Sequence, residues 1–498
     1  MNIKKSYILN IVHQIILVLI PLIVVPYVSR ILDPEGIGKY SFSCTLNSYF
    51  ILFVALGFVL YGKREIAKHR NDSYQQSLVF WEITICRLVT VLLGLAINLT
   101  LILCGVYGKY TLLMSILLID IVSILFDVSF FFHGNEEFVK VVVVNIVVKV
   151  LSAVSVFIFV KEQNDVWIYA LLNSLVAFCT NLVMCFFLKK KLVSIKKSDL
   201  KPFRHLKSAF ILYIPSIAIA LYYLINKSLI GFITQSDAEN GFYAQAEKIV
   251  RKFMVIITCL NIVMIPRNSY EISRGNLKQV KENNYNTIHF IWLLILPLIC
   301  GVIFVANNFI PWFLGEDFVQ SILLLQLLSI SVLFFGVSSV IGEQYLLPNK
   351  KDRQYVLSVL FGVAISLIVN IPLIYSLGAL GAAITTIISE FAIMLIMLII
   401  VAKEFSLKRI FKSLIKPLIA TLIMSAVICP LSLLLSPSIL NTLIIVFSGL
   451  IVYLIAILLL RDNLVVNFLK GLKAKKAKDL NSDTTNLFDK ESTQNCRG

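Results

Sequence analysis

Charge is scarce in this sequence. Asp, Glu, Lys and Arg make up 15% of its 498 residues, against a hydrophobic share of 58% and a mean hydropathy of +0.88. Soluble globular chains carry about 25% charged residues, so an ordinary water-facing surface is excluded. Long polar stretches are lacking as well. The segments between apolar runs are about 3 to 20 residues, too short for an appended ATPase, kinase or sugar-binding domain. The five histidines (His13, His69, His133, His205, His289) are scattered. No Cys-x-x-Cys or His/Cys cluster offers the four ligands of a zinc site, so no metal is expected. Of nine cysteines, eight (Cys44, Cys86, Cys104, Cys179, Cys185, Cys259, Cys300, Cys429) lie in apolar runs without paired spacing and read as small core residues. Cys496 sits in a polar tail. A nucleotide loop is missing too: in Gly57-Phe-Val-Leu-Tyr-Gly62-Lys63, Arg64 replaces the Ser or Thr and no strand precedes.

What is present is a succession of apolar runs. A spanning helix needs about 20 such residues, and fourteen stretches qualify, at roughly 8–29, 38–61, 80–104, 110–132, 138–160, 166–188, 208–231, 244–266, 287–306, 318–341, 355–376, 378–402, 414–435 and 439–460. Met1 to Lys5 followed by an apolar run resembles a signal peptide, but the run continues past Val25 without a cleavage site and reads as a retained first span. Of the 45 Lys and Arg, about 35 fall on one side of this alternation, against Arg30, Lys39, Lys109 and Lys161 on the other. The net charge of +17 is therefore a topology signal that puts both termini in the cytoplasm, and no nucleic-acid partner is expected.

The sequence thus predicts an all-α integral membrane protein of about 14 transmembrane helices. Residues 1–188 form an N-lobe of six spans, 189–207 (KKKLVSIKKSDLKPFRHLK) a cytoplasmic linker, 208–402 a C-lobe of six spans, and 403–461 two accessory spans. In 462–498, Leu464 to Lys478 alternates apolar residues with lysines, as in a helix lying on anionic membrane lipids, and beyond Asp479 the chain reads as disordered.

The lobes share a motif. Asp33-Pro-Glu35-Gly-Ile-Gly38-Lys-Tyr40 follows span 1, and Asp237-Ala-Glu239-Asn-Gly241-Phe-Tyr243 follows span 7. Asp33 suits a helix cap, Pro34 the first helical position and Glu35 the positive dipole end; Ser236 and Glu239 have capping-box spacing. Six spans is an even number, so the copies share one orientation, which predicts parallel repeats with pseudo-two-fold symmetry about the membrane normal and a site between them.

Charges within spans need partners or water. Counting from the loop centres puts Asp120 level with Lys149 and Arg87 level with Asp127, two candidate interhelical bridges. Arg30, Lys227, Lys248, Arg251 and Lys252 gather in the outer half, where only Glu247 is an acid at matching depth. They read either as cations snorkelling to headgroups or as a hydrated vestibule for an anionic headgroup. Glu82, Glu343 and Glu390 read as satisfied structural carboxylates.

The run Pro26-Tyr-Val-Ser-Arg30-Ile-Leu-Asp-Pro-Glu-Gly-Ile-Gly38-Lys-Tyr40, then Tyr61-Gly62-Lys-Arg64-Glu65-Ile-Ala67, resembles the polysaccharide flippase family of the multidrug/oligosaccharidyl-lipid/polysaccharide (MATE-like) superfamily. Gly241-x-Tyr243 with Ala246-Glu-Lys248, Pro266 with Ser269, Gln344-Tyr-Leu-Leu-Pro348, Asn370-x-Pro372 and Gly378-x-x-Gly381-Ala-Ala383 with Ser389-Glu390 extend the likeness through most of the chain. The sequence departs from it at Asn226-Lys227, where an acidic residue is expected, which leaves no negative charge there for coupling a cation.

The resemblance implies a transporter that moves undecaprenyl-diphosphate-linked oligosaccharide repeat units of O-antigen or capsule across the bacterial cytoplasmic membrane. It implies alternating access, no enzymatic activity and no cofactor beyond proton or sodium coupling. Polysaccharide polymerase and chain-length machinery are the expected partners. Arg30 and Lys248 match family positions, whereas Lys227, Arg251, Lys252, Arg87 and Lys149 come from the residue reading alone. Gly38, Tyr40, Arg64, Glu65, Gly241, Tyr243 and Pro266 are the structural positions of the motif. The competing readings are a MATE-type drug or cation antiporter, which would want an acidic cavity, a membrane glycan polymerase or ligase, disfavoured by the short outer loops, and a passive scaffold.

Overall fold

The computed structural model describes residues 3–467 and Lys470. The expected disordered segment, most of the expected amphipathic one and Cys496 lie outside the described residues. Fifteen α-helices follow one another: α1 (Ile3–Ala55), α2 (Phe58–Lys68), α3 (Ser73–Leu103), α4 (Thr111–Leu125), α5 (Ser129–Gly134), α6 (Phe138–Phe159), α7 (Val166–Lys189), α8 (Leu206–Thr234), α9 (Asp237–Ser273), α10 (Leu277–Phe313), α11 (Ser321–Ser339), α12 (Asp352–Leu377), α13 (Ala379–Val401), α14 (Leu407–Leu434) and α15 (Ile439–Leu459). After α11 the helix widens into a π-turn, Val340–Leu346. No strand occurs among the described residues.

Among the described residues, twelve helices are long and apolar enough to cross a membrane, thirteen with the bent pair Lys197–Ile214 and Ile219–Thr234. The expected fourteen differs because Leu19–Lys68 stands as one such helix. At 1.5 Å per residue α1 alone would extend about 80 Å, well over twice a hydrocarbon core. Its backbone breaks at Asp33 (φ 52°, ψ −178°), between the first two expected spans. Many large apolar side chains face outward, among them Leu443, Phe447, Leu450 and Leu454 of α15, as lipid-facing helices require.

The chain forms two compact units. One comprises Met1–Ile249, Ile310–Leu328 and Val356–Ser389, the other Val250–Phe309, Ser329–Tyr355 and Glu390–Gly498. In the first unit α1 packs against α3, α4, α6, α7 and α8, and α4 lies along α7. The segment joining α7 to α8 is anchored to α3. The fully buried Glu82 accepts from Lys201 N (2.6 Å), Arg204 Nη2 (2.7 Å) and His205 Nε2 (2.6 Å), while Asp199 accepts from Tyr74 (2.5 Å). The hydrogen bond from Tyr74, then that of Ser198, holds the Asp199 carboxyl below its ordinary value.

In the second unit α14 and α15 pair through Met424, Ile428 and Ile445, and Tyr453 donates to Leu293 O (2.8 Å). Glu404, in the turn before α14, is held by Tyr345 and Lys351. Burial pushes its carboxyl up, but the hydrogen bonds from Lys351 and Tyr345 outweigh this and leave it below its ordinary value.

The two motif copies meet within the first unit. Asp33 Oδ1 accepts from Glu35 N (3.0 Å) and Gly36 N (3.1 Å), and Ser236 Oγ accepts from Glu239 N (3.3 Å). The two caps are therefore Asp33 and Ser236, in step with Gly38 and Gly241 and with Tyr40 and Tyr243. The Asp-x-Glu likeness noticed in the sequence is one residue out of this register. At the crossing, a Cβ on Gly38 would stand 1.6 Å from the carbonyl oxygen of Asp237, and one on Gly241 2.0 Å from that of Pro34. Only hydrogen fits between these main chains.

Gly38→Ala and Gly241→Ala are accordingly expected to lower the apparent melting temperature in detergent, at or above the roughly 1–3 kcal/mol of ordinary overpacking, because main chain cannot move aside as a side chain can. Gly301→Ala, whose added Cβ would meet nothing within 4 Å beyond its own helix backbone and chain neighbours, should be neutral or stabilising; equal losses at all three positions would refute the steric account. The depressed Glu404 carboxyl contributes stability in full near neutral pH and loses it as pH falls through and below the ordinary carboxylate value of about 4.3. Glu404→Gln should therefore lower the melting temperature at pH 7 and flatten its acid limb, measured by unfolding across pH.

Candidate functional site

The crossing of the copies is flanked by polar contacts in the same unit. On one side Lys109 Nζ and Tyr110 Oη both reach the buried Asp237 carboxylate at 2.6 Å. Glu239 Oε2 accepts from Ala379 N (2.7 Å), capping α13 beside Gly378, whose φ of 59° suits glycine. Next to it Gln245 Nε2 donates to Ser29 Oγ (2.9 Å), both buried, and Tyr49 Oη lies 2.8 Å from Ser228 Oγ. These contacts tie α1 to α8 and α9.

Of the expected outer cations, Arg30, Lys227 and Lys248 belong to this unit, whereas Arg251 and Lys252 fall in the other unit's part of α9. Arg30, at the last turn of α1 before the break, is exposed and donates to the carbonyl of Trp312. Lys227 pairs with Glu247 at 2.9 Å, with side-chain exposures of 19% and 11%, so the acid noted in the sequence is its partner. Lys248, the next residue on α9, is exposed, as is Lys252; Arg251 is half-buried.

Deeper in the unit lies a neutral network that sequence reasoning missed. Asn226 donates to Tyr243 Oη (3.0 Å) and Thr386 Oγ1 (2.9 Å) and accepts from Asn370 Nδ2 (2.8 Å), which also donates to Ser366 Oγ (3.0 Å). All five residues are buried. The network joins α8, α9, α12 and α13 without a formal charge. Tyr40, which corresponds to Tyr243, instead packs edge-on to Tyr169 at 4.8 Å. The signal in the sequence was Asn226, noted only as a departure; its partners Asn370 and Thr386 come from helices well over a hundred residues away.

The expected intramembrane pair of Arg87 and Asp127 takes another form. Arg87, 2% exposed, reaches Asp127 through the main-chain carbonyl, and its guanidinium stands 4.8 Å from the Phe130 ring centre. The Asp127 carboxylate accepts from Ser129 N (2.9 Å) at the start of α5. Counting brought the right residues together but did not foresee the carbonyl. Asp120 receives Asn47 Nδ2 at 3.3 Å; Lys149 is half-buried on α6. Among the motif positions, Arg64 is exposed, Glu65 pairs with Lys68 (2.6 Å), and Pro266 lies exposed inside α9 in the second unit. No group of three or more His, Cys, Asp or Glu suited to a metal occurs among the described residues.

The second unit holds a cavity of about 590 Å3 lined by His289, Arg409, Lys412, Lys416, Asp462 and Asn467, among others. Its polar contacts are internal. Arg409 is bidentate to Glu282 (2.6 Å twice) and His289 lies 2.9 Å from Asp462.

The largely buried Lys227–Glu247 pair supports a direct check. Lys227→Met and Glu247→Gln are each expected to cost roughly 2–4 kcal/mol, between the exposed and buried limits, since each leaves a charge without its partner. The double variant should lose less than the sum in a thermal double-mutant cycle, and strict additivity would mean that the pair is not energetically coupled.

Comparison with known proteins places this architecture. A relative in Escherichia coli (strain K12), named "Putative O-antigen transporter", is 23% identical over 394 residues, 77% of this chain and 92% of that protein. The solved structure of the lipid II flippase MurJ in an inward closed conformation superposes with a TM-score of 0.68 at 15% identity, covering 91% of this chain and 100% of that one. An inward-facing multidrug resistance MATE transporter of the MOP superfamily gives 0.62 at 15%, over 79% and 94%. At these identities the structures establish a shared fold, that of a multi-pass membrane protein. Residues 3–270, more than half of the chain, match the family described as "Polysaccharide biosynthesis protein", and the chain belongs to that family.

Proposed function

We propose that this protein is a flippase, which moves a lipid-linked oligosaccharide across the bacterial cytoplasmic membrane for surface polysaccharide synthesis and makes or breaks no covalent bond. The observation that carries this reading is the likeness to the O-antigen transporter relative along 92% of its length. The finer substrate is an undecaprenyl-diphosphate-linked repeat unit, taken from the cytoplasmic to the outer leaflet, and both termini are cytoplasmic. Polymerase and chain-length proteins are the assembly partners that would consume it.

Residues 1–188 and 208–402 act as the alternating lobes, joined by 189–207, with 403–461 accessory. The glycine crossing supports this division, since main chains that meet only across hydrogen can part without leaving an apolar cavity. Arg30, Lys227 and Lys248, all of the first unit, supply cations for the diphosphate. Arg30 and Lys248 are exposed in this structure; Lys227 would exchange Glu247 for the anion.

The dominant barrier is passage of a sugar headgroup through hydrocarbon, which a hydrated path removes. Two negative charges leaving an inside-negative membrane gain up to about 4–5 kcal/mol per 100 mV, so the membrane potential, with proton or sodium exchange, drives net export. The MATE-like fold also suits drug antiport. A cationic drug would want an acidic lining, whereas the candidates here are basic.

In reconstituted vesicles carrying the lipid-linked oligosaccharide, an inside-negative potential should increase the outward-exposed fraction, read by an enzyme that cannot enter. Loss of one charge-assisted contact, about 1.5–3 kcal/mol, should slow Arg30→Ala and Lys248→Ala by roughly tenfold or more at unchanged abundance. Net accumulation that survives collapse of the potential and both ion gradients would refute the energetics. New glycosidic linkages made by the purified protein would refute the non-enzymatic assignment.

A further inference from the structure

We infer that Glu343 is a proton-binding group of this transporter, ionised in one state of the cycle and neutral in another. The inference rests on the flippase reading and adds to it the site at which an ion would act.

The carboxyl sits on the π-turn Val340–Leu346 that ends α11. Such turns are rare and are found frequently at functional sites. The turn is tightly packed: a Cβ on Gly342 would come within 2.5 Å of the Tyr355 ring. Glu343 Oε2 accepts from Asn261 Nδ2 at 2.7 Å, and Ser339 Oγ lies 3.4 Å from Oε1. Both partners are neutral. The phenol of Tyr355 on α12 lies within electrostatic reach of Glu343 and of Glu390 on α13.

Glu82 shows what a structural carboxylate looks like in this protein. It is met by Arg204 and His205 at 2.7 and 2.6 Å and by a main-chain N–H at 2.6 Å. Glu343 has no cation among its described partners. A half-buried ionised carboxylate whose described partners are both neutral is costly, and binding one proton lowers that cost. The proton forms an O–H bond on a carboxylate oxygen, in place of the hydrogen bond that Ser339 Oγ donates to Oε1 here, and its release restores the anion. No other bond changes.

A ladder of amides holds the site. Gln344 Nε2 donates to Asn261 Oδ1 (2.7 Å), Asn268 Nδ2 to the carbonyl of Gln344 (2.9 Å), Asn283 Nδ2 to Asn268 Oδ1 (2.9 Å), and Gln279 Nε2 to Asn283 Oδ1 (3.0 Å). The ladder pins the π-turn to α9 and to the first turns of α10. A change of charge at Glu343 therefore acts on a turn tied to two long helices rather than on a loose side chain.

Infrared difference spectra of the purified full-length protein, recorded across pH, test this without substrate. A protonated-carboxyl carbonyl band should titrate in the wild type, vanish in Glu343→Gln and move in Glu343→Asp. A wild-type spectrum without such a band, or one unchanged in both variants, overturns the inference. Glu343→Gln should melt within a few degrees of wild type, because the amide keeps an oxygen for Asn261. In vesicles the wild-type rate should respond to an imposed pH gradient, and the Glu343→Gln rate should not. A response to sodium instead would overturn the proton assignment. Failure of the wild type to move lipid-linked oligosaccharide would count against the flippase reading alone, since the spectra do not depend on it.

Discussion

Two glycines, Gly38 and Gly241, set the geometry on which the candidate site depends. Each stands where the other copy's main chain passes, at distances that a methyl group cannot share. Close approach brings the polar groups of α1, α8 and α9 within hydrogen-bond reach, so Ser29 meets Gln245 and Tyr49 meets Ser228. It also places Asp237, one residue past the cap Ser236, against Lys109 and Tyr110. Such an interface rests on fit and on hydrogen bonds between small and polar groups. An interlocked apolar core would resist separation more strongly, because parting it would open a void.

Much of this was legible in the sequence, and for identifiable reasons. Long apolar runs and the basic asymmetry mark a membrane protein because the bilayer imposes a length and a charge rule on any chain. The glycines were visible as a repeat because each copy needs one at the same place. The cap at Asp33 was readable from local chemistry alone. The register of the second copy was not, because Asp237 and Glu239 mimic the spacing of the first while Ser236 performs the capping. The span count differed because α1 carries a break without losing its helical continuation.

Long-range partners were the least legible. Counting depths along spans brought Arg87 to Asp127, but a count of residues cannot decide whether a guanidinium meets a carboxylate or a carbonyl. The carboxylate of Asp127 was already committed to the N-terminus of α5, and the ring of Phe130 took the face of the guanidinium. Likewise Lys227 and Glu247 were candidates by depth, and the 2.9 Å bridge reflects the approach of α8 to α9. The Asn226 network draws on four helices, and no local pattern announces it.

The two interior polar networks carry opposite consequences. Around Asn226 every group is neutral and several are both donor and acceptor, so the network holds α8, α9, α12 and α13 in one arrangement and gives pH little to act upon. Around Glu343 the same kinds of neighbour, amides and a hydroxyl, surround a group whose charge can change. Amides are suited to both tasks, since they donate to an anion and accept from a neutral acid. What distinguishes the switch from the brace is therefore a carboxyl with no cation among its described partners, set on a turn that is already wider than an α-helix.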